Sequence, residues 1–395
     1  MIQRGAGSRQ LWSQRRVSEL RMNVRCSHRF LISVLLLVAF VGCSLPPRPP
    51  PDSGPRRPPI DYAALEAEIE KAISAGPPSL ENVRAVLVSV DGETKIAHYR
   101  HSFSESDHAH VYSVTKSVLS ILIGIAIADG LIADLDQPLS KLLPKHRRAM
   151  RGETKSVTLR HLMTMSAGFL DDPTYAWTRS IEHGINFVDV LLERRQEIEP
   201  GKVFIYSNAD AHVASAVLAA ALERVGGDHP RTVLDYARER LFDPLGIQTR
   251  PSFSQPLPDW FAPEFVSAGF GWGTDPDGVP FGAYGLRLTA PDMVKIGELY
   301  RRDGVWNGKQ IVATDWVHQS TAPSTLNAEY GLFWWRSPNP DLVLYRASGS
   351  GGQRIYVFPG SGAVIVYLSD VRTNQHVNDR DVAPLDTVFV EAFRV

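Results

Sequence analysis

Cysteine is almost missing from this 395-residue chain, which has only Cys26 and Cys43. After Cys43 neither a disulfide nor a thiolate metal site is possible. Charge of a single sign is lacking as well, since 42 Lys and Arg stand against 43 Asp and Glu. That near-balance hides an asymmetry: the residues before Cys43 hold seven Arg and one Glu, which leaves the remainder with a net of −7. A mildly acidic body argues against nucleic acid as a partner. Long apolar runs are absent too, and the two strongest, residues 30–41 and 113–128, fall short of the ~20 that cross a bilayer. With 44% hydrophobic and 22% charged residues, the chain is globular and large enough for a substantial core.

What is present begins at the front. Arg21, Arg25 and Arg29 lead into the apolar residues 30–41, and Gly42-Cys43 follows directly. This resembles a bacterial lipoprotein signal, with Met22 as an alternative start and Phe40 where leucine is usual. The resemblance implies cleavage before Cys43 and a lipid anchor on it, placing the protein on the bacterial cell envelope; an uncleaved membrane anchor is the rival reading. Residues 45–59 contain eight prolines, which makes an extended, semi-rigid spacer with nothing to pack. The expected limits are a signal peptide over 1–42, a linker over 43–59 and a folded domain over 60–395.

The domain opens with a helix over 62–74, where Leu65, Ile69 and Ile73 recur at four-residue spacing. Residues 83–90 form a β-branched run, and Asp91-Gly92 is a hairpin signal before a second strand over 95–99. His98, His101, His108 and His110 cluster here, but no second ligand group follows and no metal is expected. Residues 209–222 read as an apolar helix, and Thr289 caps another over 291–301. The last part alternates as strands over 330–336, 342–345, 354–358 and 364–369, then closes with a helix over 386–393. This order predicts an α+β (α/β sandwich) fold: one antiparallel sheet built from both chain ends, flanked by helices, with a helical region inserted. Two stretches break the pattern. Residues 169–195 are polar, carry Tyr175 and Trp177 and read as an active-site loop. Residues 269–285 are glycine-rich, lack the strand-to-helix frame of a nucleotide loop and read as a surface loop.

Chemistry gathers on residues 112–130. The run from Val114 to Ala128 is apolar nearly all round, as in a helix buried at the centre of a large domain, and Gly130 stops it. Ser113 stands at its head, where backbone N–H groups favour developing negative charge. Lys116 follows on the same face, where partial desolvation would let it act as a base. Ser-x-x-Lys alone is a weak signal, because Ser113 could serve as a plain N-cap and Lys116 as a solvated residue of the first turn.

Company decides the matter. SVTK at 113–116, YSN at 206–208 and ASGSGGQ at 347–353 resemble, in that order, the three motifs of the serine β-lactamase and penicillin-binding superfamily. The class C-like branch is the nearest, with its esterases, D-stereospecific peptidases and 6-aminohexanoate-dimer hydrolases. TLRHLMTMSAGF, PGKVFIYSN, LFDPLGI and TAPDMVKIGELYRRDGVWNGKQIV fit as well, so the resemblance covers nearly all of 62–395. It implies a β-lactamase/transpeptidase-like fold, Ser113 as acylated nucleophile, and Lys116 with Tyr206 as one coupled proton relay. Asn208 would bind substrate or hold the lysine. The N–H groups of Ser113 and Ser350 would form the oxyanion hole, with Gly349 and Gly351 allowing close approach of substrate. No cofactor is implied.

One departure matters. Where β-lactamases carry Lys-Thr-Gly in the third motif, this chain has Ala347-Ser348-Gly349. Arg346 and Arg354 are near in sequence, but neither takes the lysine's place. The expected activity is therefore hydrolysis of a small-molecule ester or amide that needs no carboxylate. A D-Ala-D-Ala peptidase, penicillin-binding or β-lactamase activity is the first alternative, and a non-catalytic envelope binding protein with the same fold is the second. Tyr175 and Trp177 are the candidate specificity residues.

Overall fold

In a computed structural model, the β-branched run Val83–Val90 pairs with Glu93–Tyr99 across Asp91 and Gly92, both at positive φ (53° and 86°). The structure describes residues 59–169, 173–193, 198–226, 231–253, 266–267, 269–339, 341–370 and 380–394. All of these fall in one unit that starts at Pro59. The expected signal peptide, Cys43, most of the proline-rich stretch and parts of the polar region at 170–172 and 194–197 lie outside the described residues.

That hairpin is one edge of a six-stranded antiparallel sheet. Its order is Trp335–Arg336, Tyr345–Gly349, Gln353–Phe358, Ala363–Ser369, Val83–Val90, Glu93–Tyr99. The first and last long strands of the chain lie side by side, with Val86 opposite Tyr367, so the sheet is built from both chain ends. Strand alternation gives it two apolar faces. Val86, Val88, Ile365 and Tyr367 face the terminal helices Tyr62–Ala75 and Ala383–Phe393, through Ile69, Ile73, Phe389 and Phe393. Ala85, Leu87, Ile355 and Val366 face the main core, which also holds the apolar helix Val114–Ala128.

The helices start where capping chemistry places them. Asp61 Oδ1 accepts the Ala63 and Ala64 N–H groups, and Thr158, Thr232 and Thr289 cap Leu159–Met163, Val233–Ala237 and Ala290–Arg301. Each long core residue of Val114–Ala128 is almost fully buried, from Val118 to Ile125, and contributes about 1.5–3 kcal/mol of transfer free energy.

Three expectations are corrected. The polar stretch is not a plain loop: Pro173–His183 and Phe187–Glu193 are helices. Among its described side chains the first buries only Ala176 and Ser180, with Trp177 and Arg179 partly covered, a stripe too thin to give an apolar period. Asn186 caps the second by accepting the Val188 and Asp189 N–H groups. The glycine-rich stretch is not a surface loop either. It contributes Phe270–Trp272 to a second, five-stranded sheet with Ser252–Phe253, Leu286–Leu288, His108–His110 and Val266–Ser267. Within it only Asp277 and Gly278 are exposed. The third correction is smaller. The edge strand expected over 330–336 shrinks to Trp335–Arg336, because Phe333 turns the chain at φ 63°, and the next strand starts at Tyr345, not Leu342.

Candidate active site

Ser113 is the N-cap of the Val114–Ala128 helix, half-buried, with no capping bond from its side chain. Its Oγ instead accepts from Lys116 Nζ at 3.0 Å. Lys116 is 1% exposed, so the plain reading of a solvated first-turn lysine does not hold. Its Nζ also donates to Asn208 Oδ1 at 2.7 Å and to the Ala283 carbonyl at 3.0 Å. Three acceptors from three separate elements thus surround the three donors of one ammonium group. Asn208 opens the helix Asn208–Gly226, and Ala283 belongs to the glycine-rich stretch.

The turn before the serine is held by an unusual pair. Tyr112 sits at φ 48°, a strained conformation for a bulky residue. His110 Nδ1 accepts the Tyr112 N–H at 3.1 Å, and the two rings lie 4.1 Å apart. Burial, with Arg287 nearby, pulls His110 down to about 3, so it stays neutral and keeps the acceptor lone pair this contact needs. Burial and the Asp370 carboxylate push the Tyr112 phenol up to about 12. Tyr112 therefore remains protonated at neutral pH.

Tyr206 lies over the lysine, its ring centre 4.9 Å from Lys116 Nζ, and stacks on Trp335 at 5.7 Å. Tyr330 packs edge-on against it at 6.1 Å and is fully buried. Burial raises the Tyr330 phenol well above its ordinary value.

The third motif approaches the serine from the sheet. A Cβ placed on Gly349 would meet Ser113 N at 3.3 Å and the Val111 carbonyl at 2.3 Å, so this edge touches the head of the serine helix. Ser350 follows as an exposed turn residue, and Gly351 and Gly352 carry the turn at φ 76° and 84°. Two side chains hold that turn from below. Buried Arg354 donates to the carbonyls of Gly349 (2.8 Å) and Gln353 (3.0 Å). The Gln353 amide pairs both ways with the Ser369 backbone. Ala347, in the place of the superfamily's lysine, is fully buried on the core face. The register puts Arg354 opposite Tyr367, on the far face of the sheet, whereas Arg346, opposite both Tyr356 and Trp335, lies with its guanidinium 5.8 Å from the Trp335 ring centre. Neither arginine stands at the position of the superfamily's lysine, which Ala347 occupies.

Ser113, Lys116, Tyr206, Asn208 and Gly349 thus come together, with Ser350 and Gly351 next in the chain. Tyr175 is 41% exposed on the first turn of its helix. Trp177 packs on Phe187 (6.1 Å) and Phe281 (6.3 Å), and Phe281 stacks on Tyr284 beside Ala283. It supports the wall of the site and does not reach the serine through these contacts. The Ala283 carbonyl and Trp335 were not singled out from the sequence, and His110 stood out only as one of a histidine cluster. A backbone acceptor leaves no side-chain signature, Trp335 read as an ordinary strand residue, and nothing in the cluster linked His110 to Tyr112.

A family model described as Beta-lactamase matches residues 83–388. The chain belongs to the beta-lactamase family. It is 27% identical over 281 residues to penicillin-binding protein 4 of Amycolatopsis lactamdurans, which covers 65% of this chain and 71% of that one. It is equally 27% identical over 320 residues to the lovastatin esterase of Penicillium rubens, covering 68% and 77%. Among solved structures, EstCE1, a hydrolase with promiscuous acyltransferase activity, shares the fold at TM-score 0.61 and 18% identity, covering 84% of this chain and 99% of that one. The stretch matched to the beta-lactamase family contains every residue of the Ser113 cluster.

Proposed function

We propose that the chain is a serine hydrolase that cleaves an ester or amide through an acyl-enzyme on Ser113. The observation that carries this reading is the 3.0 Å contact between Ser113 Oγ and a buried Lys116 whose other donors are held by Asn208 and Ala283. In the first step Ser113 Oγ attacks the substrate carbonyl, and its proton passes into the Lys116–Tyr206 pair, which takes it in the form that holds one proton fewer than ammonium plus phenol. That pair returns the proton to the leaving alcohol or amine as the carbonyl–heteroatom bond breaks. Water then attacks the ester on Ser113, delivers its proton through the same pair, and releases the acid. The N–H groups of Ser113 and Ser350 stabilise the oxyanion of both steps.

Ala347 supports an ester or amide without a required carboxylate, since no cation occupies the lysine's position on the third strand. Esterase chemistry in one relative and a penicillin-binding name in another leave β-lactams as the competing substrate class. Cys43 as a lipid-bearing residue, and through it a place on the bacterial envelope, belongs to the same proposal and rests on the leader sequence alone. No helix among the described residues is long and apolar enough to cross a membrane.

Wild type and Ser113→Ala should be compared on p-nitrophenyl butyrate, an amide-oligomer panel and labelled penicillin. Ester or amide turnover that vanishes with Ser113 is the expected result. Full turnover in Ser113→Ala would sink the reading, and penicillin trapped on Ser113 without ester turnover would replace it with the penicillin-binding one.

A further inference from the structure

His212 and Asp275 are buried, 3% and 0% exposed, and meet at 3.0 Å across the wall of the site. Nothing in the proposed reaction uses them. Asp275 Oδ1 accepts the N–H groups of Asp277 (3.0 Å) and Val279 (2.8 Å). Its carboxylate is thus an acceptor throughout, and His212 Nε2 carries the hydrogen that goes to Oδ2. His212 Nδ1 finds no hydrogen-bond partner among the described residues. A half-satisfied buried imidazole is a poorer packing element than an apolar side chain of similar size, so packing alone does not account for it.

Position does account for it. His212 lies one turn beyond Asn208 on the same helix, and Asp275 lies on the same stretch as Ala283. Those two elements each hand one acceptor to Lys116 Nζ. Three described contacts hold their separation, beside the packing of the His212 ring on Phe281 at 4.9 Å. Gly282 comes so close that a Cβ would sit 2.1 Å from the Ala211 carbonyl. Ser215 Oγ donates to the Pro280 carbonyl at 2.7 Å. His212–Asp275 is the third contact, and Asp275 also shapes the 275–279 turn from which the chain returns to Ala283. His212, Asn208 and Ala283 line one narrow recess together with Phe187, Phe281 and Tyr284.

We infer that His212, oriented by Asp275, is a positioning residue for Lys116: it fixes the spacing of the Asn208 and Ala283 acceptors and thereby aims the ammonium group at Ser113. The inference rests on the serine-hydrolase reading. Small misplacements of a catalytic group cost up to about 100-fold in rate even when made from a distance.

Two amide substitutions separate this role from simple packing. In His212→Gln the terminal N–H still reaches Asp275; in His212→Asn it stops short. Both variants keep a polar side chain in the recess. Ser113 acylation by a fluorophosphonate is timed, kcat and KM are measured on an ester that wild type turns over, and Tm is recorded. His212→Gln should acylate within about threefold of wild type. His212→Asn should be slower by about tenfold or more, with kcat falling and KM little changed. Equal losses in both variants, a loss confined to KM, or wild-type acylation in folded His212→Asn would each overturn the inference. A His212→Asn that does not fold beside a fully active His212→Gln still supports the Asp275 link, whereas a slow, folded His212→Gln overturns it. A wild type that no probe labels at Ser113 overturns the hydrolase reading itself, and this inference with it.

Discussion

Two glycine-rich stretches border the Ser113–Lys116 pair, one at the serine and one at the lysine, and they do different work with the same residue. Residues 347–353 end one strand, turn and start the next, presenting backbone to the head of the serine helix. Residues 269–285 form a wall behind the lysine and supply the Ala283 carbonyl to Nζ. In each, one glycine is required by close approach. Gly349 lies against Ser113 N and the Val111 carbonyl, and Gly282 lies against the Ala211 carbonyl. The first closeness is to the reacting residue and the second is to a supporting helix. Glycine content alone therefore says nothing about exposure or role; what each missing Cβ would touch does.

The comparison can be broken first at Gly349. Gly349→Ala pushes a methyl group toward Ser113 N and displaces the strand that carries Ser350. The expected result is a loss of kcat by about 100- to 1000-fold, the scale of losing an oxyanion donor. A folded Gly349→Ala with wild-type turnover would show that this strand does not form the oxyanion site. Gly282→Ala comes next and should read out differently. A Cβ 2.1 Å from a backbone carbonyl and 2.8 Å from Leu119 Cδ2 has no flexible neighbour that can fully yield. Thermal unfolding should show a loss of about 3 kcal/mol, with surviving activity reduced less than in Gly349→Ala. An unchanged Tm would mean that the wall is looser than these contacts imply.

Local signals made much of the fold legible. The hairpin at Asp91-Gly92, the Thr158 and Thr289 caps and the alternating strands near the end of the chain all depend on neighbours in sequence. The sheet built from both chain ends followed from the order of those elements. Ser113, Lys116, Tyr206 and Asn208 were legible only because three short motifs occur in a familiar order. What stayed hidden is non-local. The Pro173–His183 helix buries too thin a stripe to announce itself. The glycine-rich wall is buried by a helix about sixty residues away in the chain. His212 and Asp275 are 63 residues apart, and no periodicity links them. Arg354 was legible as a strand residue, but strand alternation left its face open until the register with Tyr367 fixed it.

Arg354 sharpens the comparison on the catalytic side. Its guanidinium holds the carbonyls at both ends of the turn that carries Ser350, with the strength of charge-assisted bonds. Arg354→Met should loosen that turn, lowering kcat by about tenfold while KM stays nearly constant, because the turn matters most when charge develops on the substrate oxygen. An effect on KM alone would assign the turn to binding instead.

The smallest effect is expected at the outer rim of the wall. Gly278 is exposed at φ 88°, and a Cβ there would meet nothing within 4 Å. Gly278→Ala pays only for a left-handed backbone, about 1 kcal/mol, and should leave kcat and KM unaltered. If it lowered turnover as Gly349→Ala does, the distinction between a glycine needed by the chain's own turn and one needed by the reacting serine would fail. Equal Tm losses in Gly278→Ala and Gly282→Ala would likewise mean that backbone conformation, not close packing on Ala211, sets the requirement for glycine along this wall.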